Sequence, residues 1–87
     1  MSLRDHILVT GRQIAAARVL LGMAQAELAA RANISVPTLK RMEASDGRAQ
    51  GLTNNVAAVR RALEESGVLF LDPNGKSGAG VRLSRAE

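Results

Sequence analysis

The chain of 87 residues predicts a mainly α fold, one small domain of four helices closed by a C-terminal β-hairpin. Three observations predict it. Apolar residues recur at helical spacing between recognisable start and stop signals through the first two thirds of the chain. Aromatic content is 1%, with Phe70 the single Phe, Tyr or Trp, and a core of Ala, Leu, Ile and Val suits closely packed helices better than a sandwich. After Gly67 the pattern changes to short β-forming runs around a strong turn signal. A domain of this size has little stability to spare, and with no cysteine it has neither disulfides nor thiolate metal sites. Its stability rests on a tidy helical core, alone or shared with a second subunit.

The first helix is expected over Gly11–Leu21. Thr10 and Gln13 have the spacing of a capping box, in which each side chain satisfies the other's backbone amide. Ile14, Ala17, Val19, Leu20 and Leu21 follow, with Arg12 and Arg18 among them, and Gly22 stops the helix. The second helix is short, Gln25–Ala32, with Ala26, Leu28, Ala29 and Ala32 as small apolar contacts and Glu27 suited to the positive helix start. Asn33 tolerates the left-handed conformation of a sharp turn, and Ile34 in that turn is expected to point inward. The third helix lies within Ser35–Glu43. Ser35 is a good N-cap, and Pro37 falls in the first turn, where a missing amide proton costs little. Leu39 and Met42 share one face, leaving Val36, Thr38, Lys40 and Arg41 on the other side. Ala44–Gly51 reads as a polar loop. Thr53 or a neighbouring Asn is expected to cap a fourth helix, with Val56, Val59, Ala62 and Leu63 on its core face and Gly67 at its end. Val68–Leu71 and Val81–Ser84 read as strands, joined by a long, mobile loop that opens with Asp72-Pro73-Asn74-Gly75.

The formal net charge is +4. A basic small domain attracts polyanions, nucleic acid being the commonest, but so modest an excess fits a solvated, arginine-rich surface equally well. No segment is apolar for long enough to span a bilayer, and the amino-terminal residues, which include Arg4, Asp5 and His6, lack the apolar run of a signal peptide. A cytoplasmic location is therefore expected, and the absence of cysteine fits it. His6 is the one histidine; without cysteines or a carboxylate cluster it makes no metal site. Gly75, Gly78 and Gly80 lack the lysine and following helix of a phosphate loop. With no catalytic cluster, the sequence argues against an enzyme and implies no cofactor, metal or small-molecule substrate.

The second and third helices, joined by a tight turn, have the lengths of a helix-turn-helix, in which the first helix holds the second in the major groove. Such a pair also occurs as packing alone. The run Leu21-Gly22-Met23-Ala24-Gln25-Ala26-Glu27-Leu28-Ala29-Ala30-Arg31-Ala32-Asn33-Ile34-Ser35, followed by Pro37-Thr38-Leu39-Lys40-Arg41-Met42-Glu43, resembles the Cro and phage-repressor type of helix-turn-helix, also called the xenobiotic-response-element family. The similarity covers roughly Gly11–Gly67. It implies a lambda-repressor-like helical bundle and a partner in double-stranded DNA.

The resemblance also implies residue roles. Gln25 matches a glutamine that grips a phosphate and braces the recognition helix. Ser35, Val36, Pro37, Thr38, Lys40 and Arg41 match positions that meet DNA, and Arg18 and Glu43 match a structural ion pair. The residue types suit these roles: Arg41 can donate two parallel bonds to guanine or reach a phosphate, and Lys40 suits a phosphate better than a base edge. Ala24 stands where the family carries a capping side chain, and Asn33 replaces its turn glycine. Val36 and Pro37 make the recognition helix's first turn poor in hydrogen-bonding groups, which shifts weight toward DNA shape and phosphates.

The chain thus divides into residues 1–10 as an N-terminal extension, 11–67 as a helix-turn-helix DNA-binding domain, and 68–87 as a β-hairpin tail. A lone hairpin is marginal in water and its apolar residues need a partner, so the tail is expected to build a homodimer. The resulting expectation is a homodimeric repressor with its third helix in the major groove. The alternatives are an antitoxin-like autoregulator and a protein-interaction adaptor that does not touch DNA. Salt dependence separates the adaptor, whose apolar interface would barely respond to ionic strength.

Overall fold

The computed structural model describes residues 9–45, 49, 51 and 53–85. Arg4, Asp5 and His6, most of the expected N-terminal extension, and much of the Ala44–Gly51 loop lie outside the described residues. Those described form helices α1 (Gly11–Leu20), α2 (Gln25–Ala32), α3 (Val36–Glu43) and α4 (Thr53–Glu65), then strands β1 (Val68–Leu71) and β2 (Gly80–Leu83).

Local chemistry fixes each boundary. The capping box is complete: the Gln13 amide donates to Thr10 Oγ1 at 3.0 Å, and the Thr10 amide donates to Gln13 Oε1 at 2.8 Å. Helices α1 and α2 end alike. The amides of Gly22 and Met23 bond the carbonyls of Val19 and Arg18, and those of Asn33 and Ile34 bond the carbonyls of Ala30 and Ala29. Both are Schellman turns, whose pivot must be left-handed; φ is 65° at Gly22 and 58° at Asn33. Asparagine thus fills the second pivot at little cost. Leu21 caps α1 rather than continuing it. Ser35 caps α3, accepting from the Thr38 amide at 3.2 Å, and Pro37 sits in the first turn. Thr53, Asn54 and Asn55 all lie inside α4 rather than capping it, because the helix starts at Thr53.

The core is compact and small-featured. Ile14, Leu28, Leu39, Met42, Leu63, Val9, Val59 and Val68 are its largest fully buried side chains, drawn from every helix, the entry to α1 and β1. Each buried Leu or Ile contributes roughly 1.5–3 kcal/mol relative to exposure. Helix α3 packs against α1 and α2, and α2 against α4.

The strands pair antiparallel, Val68 opposite Leu83 and Leu71 opposite Gly80. Strand β2 starts one residue before the expected Val81, because Gly80 pairs with Leu71. Beyond Leu83 the Ser84 amide donates to the Gly67 carbonyl at 2.8 Å. The connecting loop folds around Asn74, whose Oδ1 accepts from the amides of Lys76 and Ser77 at 2.8 and 2.9 Å. The hairpin lies against α1 and α4. Val68 is buried, and Phe70 and Val81 pack partly on the core. The nearly buried Gln13 amide donates to the carbonyls of Gly80 and Leu71 at 3.0 and 3.4 Å, holding the loop end of the hairpin to the first turn of α1. Arg60 lies over the Phe70 ring at 5.0 Å, a cation–π contact between α4 and β1.

Candidate nucleic-acid interface

Helix α3 is amphipathic in the simplest sense. Leu39 and Met42 face inward with no exposure, while Ser35, Pro37, Lys40 and Arg41 are exposed and Thr38 is half-buried. Val36 differs from the expectation that it stands on the outer side: it is half-buried and packs against the core. It opens the helix three residues before Leu39, so the two share a stripe. Val36 therefore divides its surface between interior and solvent.

The hydroxyls at the start of α3 are mutually engaged. Ser35 Oγ and Thr38 Oγ1 lie 2.7 Å apart, and Arg41 Nη2 donates to Thr38 Oγ1 at 3.4 Å. The second contact is long and solvent-exposed, so it tethers Arg41 weakly. Lys40 and Arg41 place two cations in the last turn, where the negative end of the helix dipole favours them.

Glu43 is the anionic exception in that turn, and the dipole disfavours it there. Three donors offset this. Arg18 Nε and Nη2 bond the two carboxylate oxygens at 2.9 and 3.1 Å, and Gln25 Nε2 bonds Oε1 at 3.1 Å. Arg18 uses its remaining arm on the Met23 carbonyl at 3.0 Å, bracing the turn between α1 and α2. The side chains of Arg18 and Glu43 are only 19% and 7% exposed. A bidentate arginine–carboxylate pair with so little solvent is strong and directional. It ties α1, the start of α2 and the end of α3 to one another.

Gln25 is thus joined to the α3 residues through Glu43 and not by direct contact with the exposed cations. It is half-exposed at the first position of α2, and its amide nitrogen keeps a second proton for an outside acceptor. Ala24 before it makes no side-chain cap, so the first amides of α2 rely on solvent or a bound anion.

Sequence reasoning missed two supports. Gly11 is closed in: a Cβ there would collide with the Met42 carbonyl and lie 2.7 Å from the Ser45 carbonyl. Its glycine at the first turn of a helix, where propensity disfavours it, was the available signal. Ser45 is buried and its Oγ donates to the Arg41 carbonyl at 3.1 Å, closing the end of α3. Nothing in its polar sequence surroundings marked it.

Two shallow recesses flank the end of α3. One is lined by Thr38, Arg41, Ala44, Ser45 and Gly51, the other by Arg12, Ala15, Glu43, Ala44 and Ser45.

Residues 14–54 match the family model described as helix-turn-helix. No curated protein matches the chain. The matched stretch takes in most of α1, all of α2 and α3, and the first two residues of α4. It includes Arg18, Gln25 and Glu43 together with the exposed face of α3. Residues 14–54 are therefore a DNA-binding helix-turn-helix of the Cro and phage-repressor family, a family of transcriptional regulators.

Proposed function

We propose that this chain is a sequence-specific repressor that binds as a homodimer, with α3 of each subunit in the major groove. The observation that carries the proposal is the anchoring of Glu43 by Arg18 and Gln25. It fixes α3 against the body while Ser35, Pro37, Lys40 and Arg41 stay exposed. Gln25, Ser35, Val36, Pro37, Thr38, Lys40 and Arg41 form the proposed contact set. Arg41 reads a base, Lys40 and Gln25 hold phosphates, and the uncapped start of α2 adds backbone amides to the grip. Repression is supported by the likeness to phage repressors, since a protein seated on a promoter obstructs transcription.

The dimer reading is supported by the hairpin. Val68 and Phe70 turn toward the core, which sends Leu69 and Leu71 outward, at 42% and 39% exposed. An outer sheet face carrying leucines at the edge of a small domain suits a second copy. Half-sites would then be spaced about 34 Å apart or a multiple of that.

A selection from random duplexes, run at two salt concentrations, tests the reading. Enrichment of a two-fold symmetric sequence, with affinity falling steeply as salt rises, is the expected result. Arg41→Ala should weaken the selected site by roughly 1–3 kcal/mol and relax one base position, and Lys40→Ala should weaken all sequences alike. No enrichment, or unchanged affinity of Arg41→Ala for the selected site, would overturn the respective assignments. Light scattering at high micromolar concentration checks the dimer, which Leu69→Lys with Leu71→Lys should split.

A further inference from the structure

We propose that Arg82 of each subunit pairs with Asp72 of a second copy of this chain, and that these two ion pairs set the hairpins antiparallel, outer face on outer face. The inference rests on the homodimer reading above and assigns the contact that gives that dimer its register. Strand alternation sends Leu69 and Leu71 outward on β1, and Gly80 and Arg82 outward on β2. Arg82 stands directly across from Leu69, so one exposed cation lies beside two exposed leucines. Its guanidinium has no hydrogen-bond or ion-pair partner among the described residues, and neither has the exposed Asp72 carboxylate. Asp72 is the single acidic residue between Gly67 and Arg85. It lies three positions along from Leu69, so the two charges of one hairpin are about 10 Å apart along the strands.

Burial of that cation decides how two such faces meet. A two-fold axis running along the strands lays β1 of one copy over β2 of the other, and seats each Arg82 on a Leu69. A charge that loses water there without an acceptor is costly. A two-fold axis running across the strands, level with Phe70, lays β1 over β1 in opposite directions. Leu69 of one copy then meets Leu71 of the other. Asp72 of the second copy comes level with Val68, one position along and one strand across from Arg82. Facing sheets lie about 10 Å apart and neighbouring strands about 4.8 Å, a gap that a long arginine and a short aspartate close together. In this arrangement leucine meets leucine and cation meets anion, and symmetry makes each contact twice. The planar guanidinium fork binds a carboxylate directionally, so the pair fixes register as well as adding attraction.

The test measures self-association of the full-length chain by sedimentation equilibrium, with thermal unfolding recorded for every variant. Arg82→Glu alone sets glutamate against aspartate at both contacts, and Asp72→Arg alone sets arginine against arginine. Each should weaken the dimer about tenfold or more, because two attractions become two repulsions. An equimolar mixture of the two single variants restores opposite charges at both contacts, and so does the double variant by itself. Both should associate within about threefold of the wild type, a difference of well under one tenfold step in Kd. A folding defect cannot produce that recovery, since the mixture holds the same two chains that fail separately. Single variants that dimerise like the wild type overturn the pairing and leave the dimer reading standing. So do weakened variants that neither the mixture nor the double variant recovers. A wild type that stays monomeric at high micromolar concentration removes the dimer reading itself, and the pairing with it.

Discussion

The two ends of α3 are built on opposite principles. Its C-terminal end is enclosed: Met42 is fully buried, Glu43 is held by two residues from two other elements, and Ser45 and Gly11 close the backbone contact with α1. Its N-terminal end is held largely by local bonds, the Ser35 cap and the Ser35–Thr38 hydroxyl pair, both exposed, with Val36 packed only partly against the core. The lesson is that orientation and reading are largely separate tasks. Most of the residues that aim the helix are interior, and most of those proposed to read DNA contribute little to the fold; Gln25, which braces Glu43, and Val36, which packs partly against the core, serve both tasks. Variants at the two ends should accordingly fail in different ways, the enclosed end through stability and the open end through binding.

The largest expected effect is at Glu43. Glu43→Ala leaves the Arg18 guanidinium largely buried without its carboxylate, which should cost about 3 kcal/mol of folding stability in urea titration. For a chain of 87 residues that is a large share of the total. Combining Arg18→Met with Glu43→Leu should recover much of the loss, because an apolar pair avoids the stranded charge. Failure of the double variant to recover would show that the geometry of the ion pair, rather than charge compensation, sets the position of α3.

Gly11 comes next. Gly11→Ala brings a methyl group against the Met42 and Ser45 carbonyls, and neither backbone oxygen can move alone. The expected cost is about 2 kcal/mol, in the range of core overpacking. Because the strain is relieved by tilting α3 away from α1, affinity for a selected duplex should fall by more than any loss of folded protein accounts for. Lost stability with unchanged affinity of the folded fraction would show that the contact does not control the angle of α3.

How far the sequence disclosed all this follows the same division. Elements defined by near neighbours were legible: the Thr10–Gln13 box, the Asn33 pivot, the Ser35 cap and the helical spacing of Val56, Val59, Ala62 and Leu63 each need only a few adjacent residues. The Arg18–Glu43 pair spans 25 positions and was legible only through family resemblance. Contacts of similar or longer reach without such a precedent stayed hidden. Gln13 was read as half of a capping box, yet it also holds two hairpin carbonyls from a point 58 and 67 residues away in sequence. Gly11 looked like a neutral helix start. Val36 reads as an outer residue when the core stripe is drawn from Leu39 and Met42 alone, although its spacing of three from Leu39 sets it at that stripe's edge, where it packs partly against the core.

The smallest effect concerns the start of α2, which lacks a side-chain cap. Ala24 precedes α2 with its backbone already in the extended conformation of an N-cap, so a serine there needs no rearrangement. Ala24→Ser should let the new hydroxyl accept from the Ala26 or Glu27 amide and add roughly 1 kcal/mol of stability. That corresponds to a melting temperature about 4–8 °C higher for a domain of this size. The Gln25 amide, one position earlier, would remain open, as would the Nε2 proton that Glu43 does not use. DNA affinity should therefore hold within about twofold while stability rises, since RT ln 2 is only about 0.4 kcal/mol. A stabilised protein that binds DNA much more weakly would mean that the serine competes for amides a phosphate needs, moving the grip of α2 from the Gln25 side chain to its backbone.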